Sequence, residues 1–299
     1  MATILYSPIT RDFAIKNYQW NGLSEFTDLL VKDGFSVSIY KDKLRLKSLS
    51  PSGTCILIIG PEIPYEADEA ESLLNFVKDG GTVILLDDFG TGNTLLERLE
   101  IPVKFIGKPL LDEVVYSKQP VFPIIVGLTD ELKALNITII TNIPTALEVL
   151  NSSTTEWEVA VVAKSSEHAF IDHNFNEKLD DGEVKGQYPA VVIVKKRRGR
   201  IVLISDPSIL INCMIDEGDN YRFVKLILSK YRVRRVVIDY SHYEKRLIEH
   251  LRERLISFLK RAKTTLRDPL FSYTLTIFIV TITLTTIHSI VKRCKREHI

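Results

Sequence analysis

The chain has 299 residues, 45% of them hydrophobic and 26% charged, with a net charge of +1; this is the make-up of a folded protein with room for one large domain. The small net charge hides an asymmetry, because residues 1–240 carry 27 basic and 33 acidic side chains (−6) and the last 59 residues carry 12 and 5 (+7). An acidic domain argues against nucleic acid as a partner, Cys55, Cys213 and Cys294 without CxxC spacing argue against zinc, and basic charge beside an apolar segment points to lipid headgroups.

Residues 2–6 form a strand-length apolar run, and no basic start followed by a long apolar core marks a signal peptide. Asn21-Gly22 is turn chemistry, and Ser24 is the expected N-cap of a helix that runs to residue 33 and stops at Gly34. Strands are expected at 35–40 and 55–60, where Cys55 reads as an inert core thiol. An amphipathic helix follows, with Leu73, Leu74, Phe76 and Val77 inward and Gly80-Gly81 as its stop. Residues 82–86 are apolar on both faces, as in the middle of a parallel sheet. Strands and helices alternating in this way indicate an α/β fold with a parallel, right-handed sheet.

A short helix is expected at 94–99. From about 101 to 200 short apolar runs separated by Pro, Asn and Ser suggest a β-rich insertion, closing with a hairpin of 190–194 and 200–204 across KKRRGR. Asp206 precedes Pro207 as an N-cap, Asp219 or Asn220 caps a helix over 221–230, and 233–239 is the last strand. The domain thus spans 1–243. Residues 244–267 read as a charged amphipathic juxtamembrane helix, 269–291 as a transmembrane helix and 292–299 as a basic tail. Residues 269–291 contain no Asp, Glu, Lys or Arg, and 23 helical residues reach roughly 34 Å against a hydrocarbon core of about 30 Å. With six Lys/Arg on one flank and four on the other, charge sets no orientation. A single-pass C-terminal anchor with the domain in the cytoplasm is the expectation that fits the missing signal peptide.

In an α/β sheet, ligands lie beyond the carboxyl ends of the strands. That edge should hold Asp87, Asp88, Gly90, Thr91, Gly92 and Asn93 after one strand, Asp206 after another, and Asp239 with His242 after the last. The two glycines let backbone amides approach an anion, and carboxylates with a histidine suit a divalent cation or acid–base work. A second candidate is the loop Asp172, Asn174, Asn176, Asp180, Glu183, which places oxygen donors at positions 1, 3, 5, 9 and 12 of a calcium loop. It departs from that pattern at Glu177, where such loops carry glycine for the turn.

Taken in order, Asn21-Gly22 with Ser24, IIGPEIPY (58–65), GGTVILLDDFGTGN (80–93), the Asp172–Glu183 loop, ISDPSILINCMI (204–215) and Asp239-x-x-His242 resemble archaeal proteins of domain-of-unknown-function family 4350. The resemblance implies a flavodoxin-like, class I glutamine amidotransferase-like sheet, similar also to GIFT-type domains of gliding and intraflagellar-transport proteins. It also implies a membrane-associated assembly with a MoxR-type AAA ATPase and a von Willebrand A-like protein. True amidotransferases carry a nucleophilic cysteine at the elbow after a central strand. The matching turn here, Asp88-Phe89-Gly90, has no thiol. The expected function is therefore a membrane-anchored, non-catalytic binding or scaffold domain, with a metal-dependent hydrolase using Asp87, Asp88, Asp239 and His242 as the alternative.

Overall fold

A computed structural model describes residues 11–41, 46, 49–151, 156–244, 254 and 257. The chain divides into two units, one of residues 8–244 and one of 1–7 with 245–299; the elements below all belong to the first. The strand expected at 2–6, the juxtamembrane helix apart from residues 244, 254 and 257, the span at 269–291 and the basic tail lie outside the described residues. Among the described residues no helix is long and apolar enough to cross a membrane.

In chain order the helices are α1 (Ser24–Lys32), α2 (Ala67–Lys78), α3 (Gly92–Arg98), α4 (Asp130–Ala134) and α5 (Asn220–Lys230). The strands are β1 (Ser36–Tyr40), β2 (Thr54–Ile59), β3 (Thr82–Leu86), β4 (Val103–Phe105), β5 (Leu110–Asp112), β6 (Ile124–Ile125), β7 (Ile139–Ile140), β8 (Leu147–Val149), β9 (Glu158–Lys164), β10 (Ala169–Ile171), β11 (Pro189–Lys196), β12 (Gly199–Ile204) and β13 (Arg235–Asp239). Seven strands form one sheet in the order β1-β13-β2-β3-β12-β11-β9. The pairs from β1 to β12 are parallel, and β11 and β9 add an antiparallel edge. The fold is mixed α/β with a mostly parallel central sheet.

Every residue of β2 and β3 is buried. Alternate side chains of these strands enter two separate cores, as a period of two requires. Cys55, Leu57, Ile59, Ile84 and Leu86 join Phe26 and Leu30 of α1 and Phe223, Val224 and Ile227 of α5 on one face. Ile56, Ile58, Val83 and Leu85 join Leu73, Phe76 and Val77 of α2 and Leu95 and Leu96 of α3 on the other. Leu74 is only half-buried at the margin of the second core. Burial pushes the Cys55 thiol far above its ordinary pKa, which keeps it an unreactive core group.

The stretch 101–200 serves two purposes. Three small sheets, β4–β8, β5–β10 and β6–β7, stand apart from the main sheet. By contrast, β9, β11 and β12 belong to it, and the expected hairpin β11–β12 supplies β12 as the parallel neighbour of β3. Within 101–200, β9 and β11 are thus part of the central sheet, and Val191 and Ile193 of β11 enter one core while Val192 and Val194 enter the other.

Two expected caps are made differently. Ser24 is the first residue of α1, and the N-cap residue Leu23 offers no side-chain cap. The exposed amide of Glu25 instead donates to Oδ1 of Asn212, 187 residues away, at 3.0 Å. The Asn212 amide in turn donates to the Asn17 and Gln19 carbonyls and to Ser24 Oγ. Asp219 precedes α5 without capping it; its carboxylate accepts from the Thr138 amide at 3.0 Å. Both residues tie helix starts to distant chain, which no local pattern announces. Replacing Asn212 by Ala would strand several buried groups and should destabilise the domain by about 3 kcal/mol. Urea unfolding should show a lower midpoint at unchanged slope, and a change below about 1 kcal/mol would show that the Asn212 network is dispensable.

Candidate functional site at the carboxyl edge of the sheet

β3 leads directly into Asp87, whose side chain turns back into the protein and is almost fully buried. Its Oδ1 accepts from the amides of Asp88 (2.9 Å) and Gly90 (3.0 Å), and its Oδ2 from the amide of Gly92 (2.7 Å). The two glycines follow from this contact. A Cβ at Gly90 would stand 2.5 Å from Asp87 Oδ1, and one at Gly92 would stand 2.5 Å from Oδ2. The anion that the turn was expected to receive is the protein's own carboxylate. Thr91 fastens the turn to the neighbouring loop by giving both its amide and its hydroxyl to the Pro61 carbonyl. Asn93 bonds the backbone of Phe105 in both directions, joining α3 to β4.

Asp206, after β12, is fully buried and caps the short 3-10 helix Pro207–Leu210 as its position before Pro207 predicts. One oxygen accepts from Ser208 N and the other from Asn142 N, each at 2.7 Å. Burial pushes Asp206 up to about 8, with the nearby charge of Asp88 adding to the rise. Burial likewise pushes Asp87 and Asp88 up to about 6 against the backbone amides that favour their charged forms. Asp87, Asp88 and Asp206 are therefore one electrostatic group.

Asp239 and His242 form a second, separate cluster. His242 Nδ1 lies 2.9 Å from Asp239 Oδ2, and Nε2 lies 3.4 Å from Glu69 Oε2 of α2. The ring stacks on Tyr65 at 3.6 Å between centroids, and the Tyr65 hydroxyl donates to Asp239 Oδ2 at 2.6 Å. Ser241 donates its amide and hydroxyl to Asp239 Oδ1. Burial opposes charge on both partners, but their mutual hydrogen bond and attraction win, lowering Asp239 and raising His242. Ser241 Oγ approaches the same ring nitrogen as Asp239, at 3.0 Å. A serine nucleophile needs the opposite nitrogen, which here faces Glu69. The cluster reads as a lock between β13, α2 and the loop after β2, where His242 O also accepts from the amides of Glu62 and Ile63.

Asp87, Asp88, Asp239 and His242 do not assemble as one ligand set. Among the described residues the one group of three acidic or metal-ligating side chains with atoms within 4.8 Å of one another is Glu66, Asp68 and Glu69. Glu66 and Glu69 are the capping box of α2. Tyr65, Glu69 and Ser241 were missed from the sequence. Tyr65 lies 174 residues from Asp239 and Glu69 lies 173 residues from His242, and their only signal was the acidic start of an amphipathic helix.

The loop from Asp172 to Glu183 is a third, distinct feature. Buried Asp172 accepts from the amides of Asn174, Asn176 and Glu177. The side-chain amides of Asn174 and Asn176 both donate to Asp180 Oδ2, at 2.7 and 2.6 Å. Glu183 accepts from the amides of His173 and Asp180. Glu177 adopts φ 60°, the left-handed conformation for which calcium loops use glycine.

The raised carboxyls set a pH dependence. Asp87, Asp88 and Asp206 keep their protons in the folded state at pH values where the unfolded chain has lost them, so they favour folding less as pH rises. His242, raised above its ordinary value, contributes stability below about 6.5 that is lost as pH climbs through its folded pKa. Lowered Asp239 acts only below about 4. The Tm should therefore fall from pH 5 to pH 8, by roughly 5 °C. Calorimetry showing a rise over that interval would mean that burial does not govern these groups.

No curated protein matches the chain. Among solved structures, the mmIFT52 N-terminal domain superposes with a TM-score of 0.56 at 15% identity, covering 72% of this chain and 93% of that domain. A putative ThuA-like protein from Bacteroides uniformis gives 0.42 at 17% identity, covering 68% and 80%. At 15% identity the likeness to the mmIFT52 domain is one of fold. A family model described as Domain of unknown function (DUF4350) matches residues 15–228, well over half of the chain, and the protein belongs to that family.

Proposed function

We propose that the chain is a non-catalytic binding or scaffold domain with an amidotransferase-like fold, tethered to a membrane through residues 269–291. The observation that carries this reading is the consumption of polar groups at the carboxyl edge. Asp87 is held by three amides, Asp206 by two, and His242 is engaged at both ring nitrogens. The turn after β3 offers an aspartate where an amidotransferase needs a thiol. What remains exposed beside it is a rim suited to contact, with Trp20 64% and Phe89 46% exposed. The resemblance drawn above proposes a MoxR-type AAA ATPase and a von Willebrand A-like protein as partners.

Cross-linking the full chain in native membranes, followed by detergent capture, should recover such a partner. The protein itself should remain in the pellet after carbonate extraction. Release of the chain into the supernatant would sink the tether, and capture of no partner would sink the scaffold role.

We also propose that the loop of Asp172, Asn174, Asn176, Asp180 and Glu183 binds calcium weakly. What supports it is the meeting of Asn174, Asn176 and Asp180 at one point, and the left-handed turn at Glu177. Titration calorimetry with millimolar calcium should give a saturable heat that Asp180→Ala removes. Absence of heat from the unaltered protein would dispose of the site.

A further inference from the structure

A cleft of about 230 Å³ opens beside the turn after β3. Its lining includes the aromatic residues Phe13, Trp20 and Phe89, the acidic residues Asp12 and Asp88, and Asn142. It is smaller than the 300–1,000 Å³ usual for drug-sized ligands, and suits a group the size of one side chain.

Its charge is unbalanced. Among the described residues no lysine, arginine or histidine lines it. Asp88 receives hydrogen bonds from backbone, the Phe89 amide at 2.6 Å among them, and no basic side chain among the described residues pairs with it. Asp12, the second carboxylate, accepts from the Asn21 amide. A half-buried carboxylate beside three aromatic rings disfavours an anion, and a neutral apolar guest would strip water from Asp88 without replacing it. A hard divalent metal needs several oxygen ligands, and Asp88 belongs to no three-ligand group. An organic cation satisfies both the carboxylate and the ring faces.

The walls are held before any guest arrives. Buried Asp206 pins both Asn142 and Ser208, each part of the lining, through their amides. Phe13 and Ile143, also in the lining, sit in the left-handed region at φ 55° and 50°. For a β-branched residue such as Ile143 that conformation is costly, and surrounding structure must enforce it.

We infer that this cleft binds an alkylammonium group, carried on a lysine side chain of a partner or on a free amine, with Asp88 as its counter-ion and Trp20 and Phe89 as its aromatic wall. This names the ligand chemistry of the proposed binding edge and rests on that reading.

The full chain would be titrated with Nα-acetyl-lysine amide, butylammonium and, as the uncharged isostere, Nα-acetyl-norleucine amide, followed by saturation-transfer NMR. Both amines should bind with dissociation constants on the order of millimolar, and the norleucine derivative at least tenfold more weakly. Asp88→Asn, which retains an acceptor for the Phe89 amide, should weaken the amines about tenfold or more. Trp20→Leu, at an exposed position, should weaken them severalfold with the Tm unchanged. Tighter binding of the lysine amide than of butylammonium assigns the group to a protein partner; the reverse assigns it to a free amine. Equal binding of the norleucine derivative, or amine binding indifferent to Asp88→Asn, would overturn the inference. So would no binding of either amine, and if cross-linking had meanwhile captured a partner, the binding-domain reading would stand without it.

Discussion

The carboxylate of Asp87 closes the turn after β3 upon itself. Three backbone amides converge on two oxygens in a buried place. Charge-assisted bonds of this kind contribute about 1.5–3 kcal/mol each, while burial of the carboxylate costs much of that back. The geometry is what matters downstream. It requires glycine at 90 and 92, starts α3 at Gly92, and aims Asp88 outward beside Phe89. Thr91 then binds the turn to Pro61, tying the loop after β3 to the loop after β2.

From this follows a division of the sheet edge. Around β3 and β12, Asp87 and Asp206 act as internal anchors for backbone, while Asp88 is part of the cleft lining. Around β13 the Asp239–His242 pair joins Tyr65 and Glu69 in a closed cluster. In an enzyme of this architecture the same places would hold a nucleophile, its base and its oxyanion donors. Here the amides of the turn after β3 face Asp87. On the proposed reading, this edge holds a partner group.

The sheet itself was legible because burial on both faces leaves a mark that a linear pattern preserves. TCILII and TVILL are apolar throughout, and each alternates between two cores. The stop glycines of α1 and α2 and the Asp206-Pro207 cap were equally visible, since their chemistry is local. The extent of the insertion was less so. β9, β11 and β12 look like other short apolar runs, and only pairing with β3 reveals β12 as the fifth parallel strand.

The sequence by itself determined an α/β domain, the placing of Asp87, Asp88, Asp206, Asp239 and His242 at strand ends, and the want of a thiol in the turn. These depend on period, composition and neighbouring residues, which the chain states directly. Only the tertiary structure decided which carboxylates are spent and which are free. It separated His242 from Asp87, gave Glu69 to the histidine, and used Asn212 to cap a helix almost 190 residues away. Those outcomes depend on hydrogen-bond partners brought together across the sheet, and no spacing along the chain encodes such a distance.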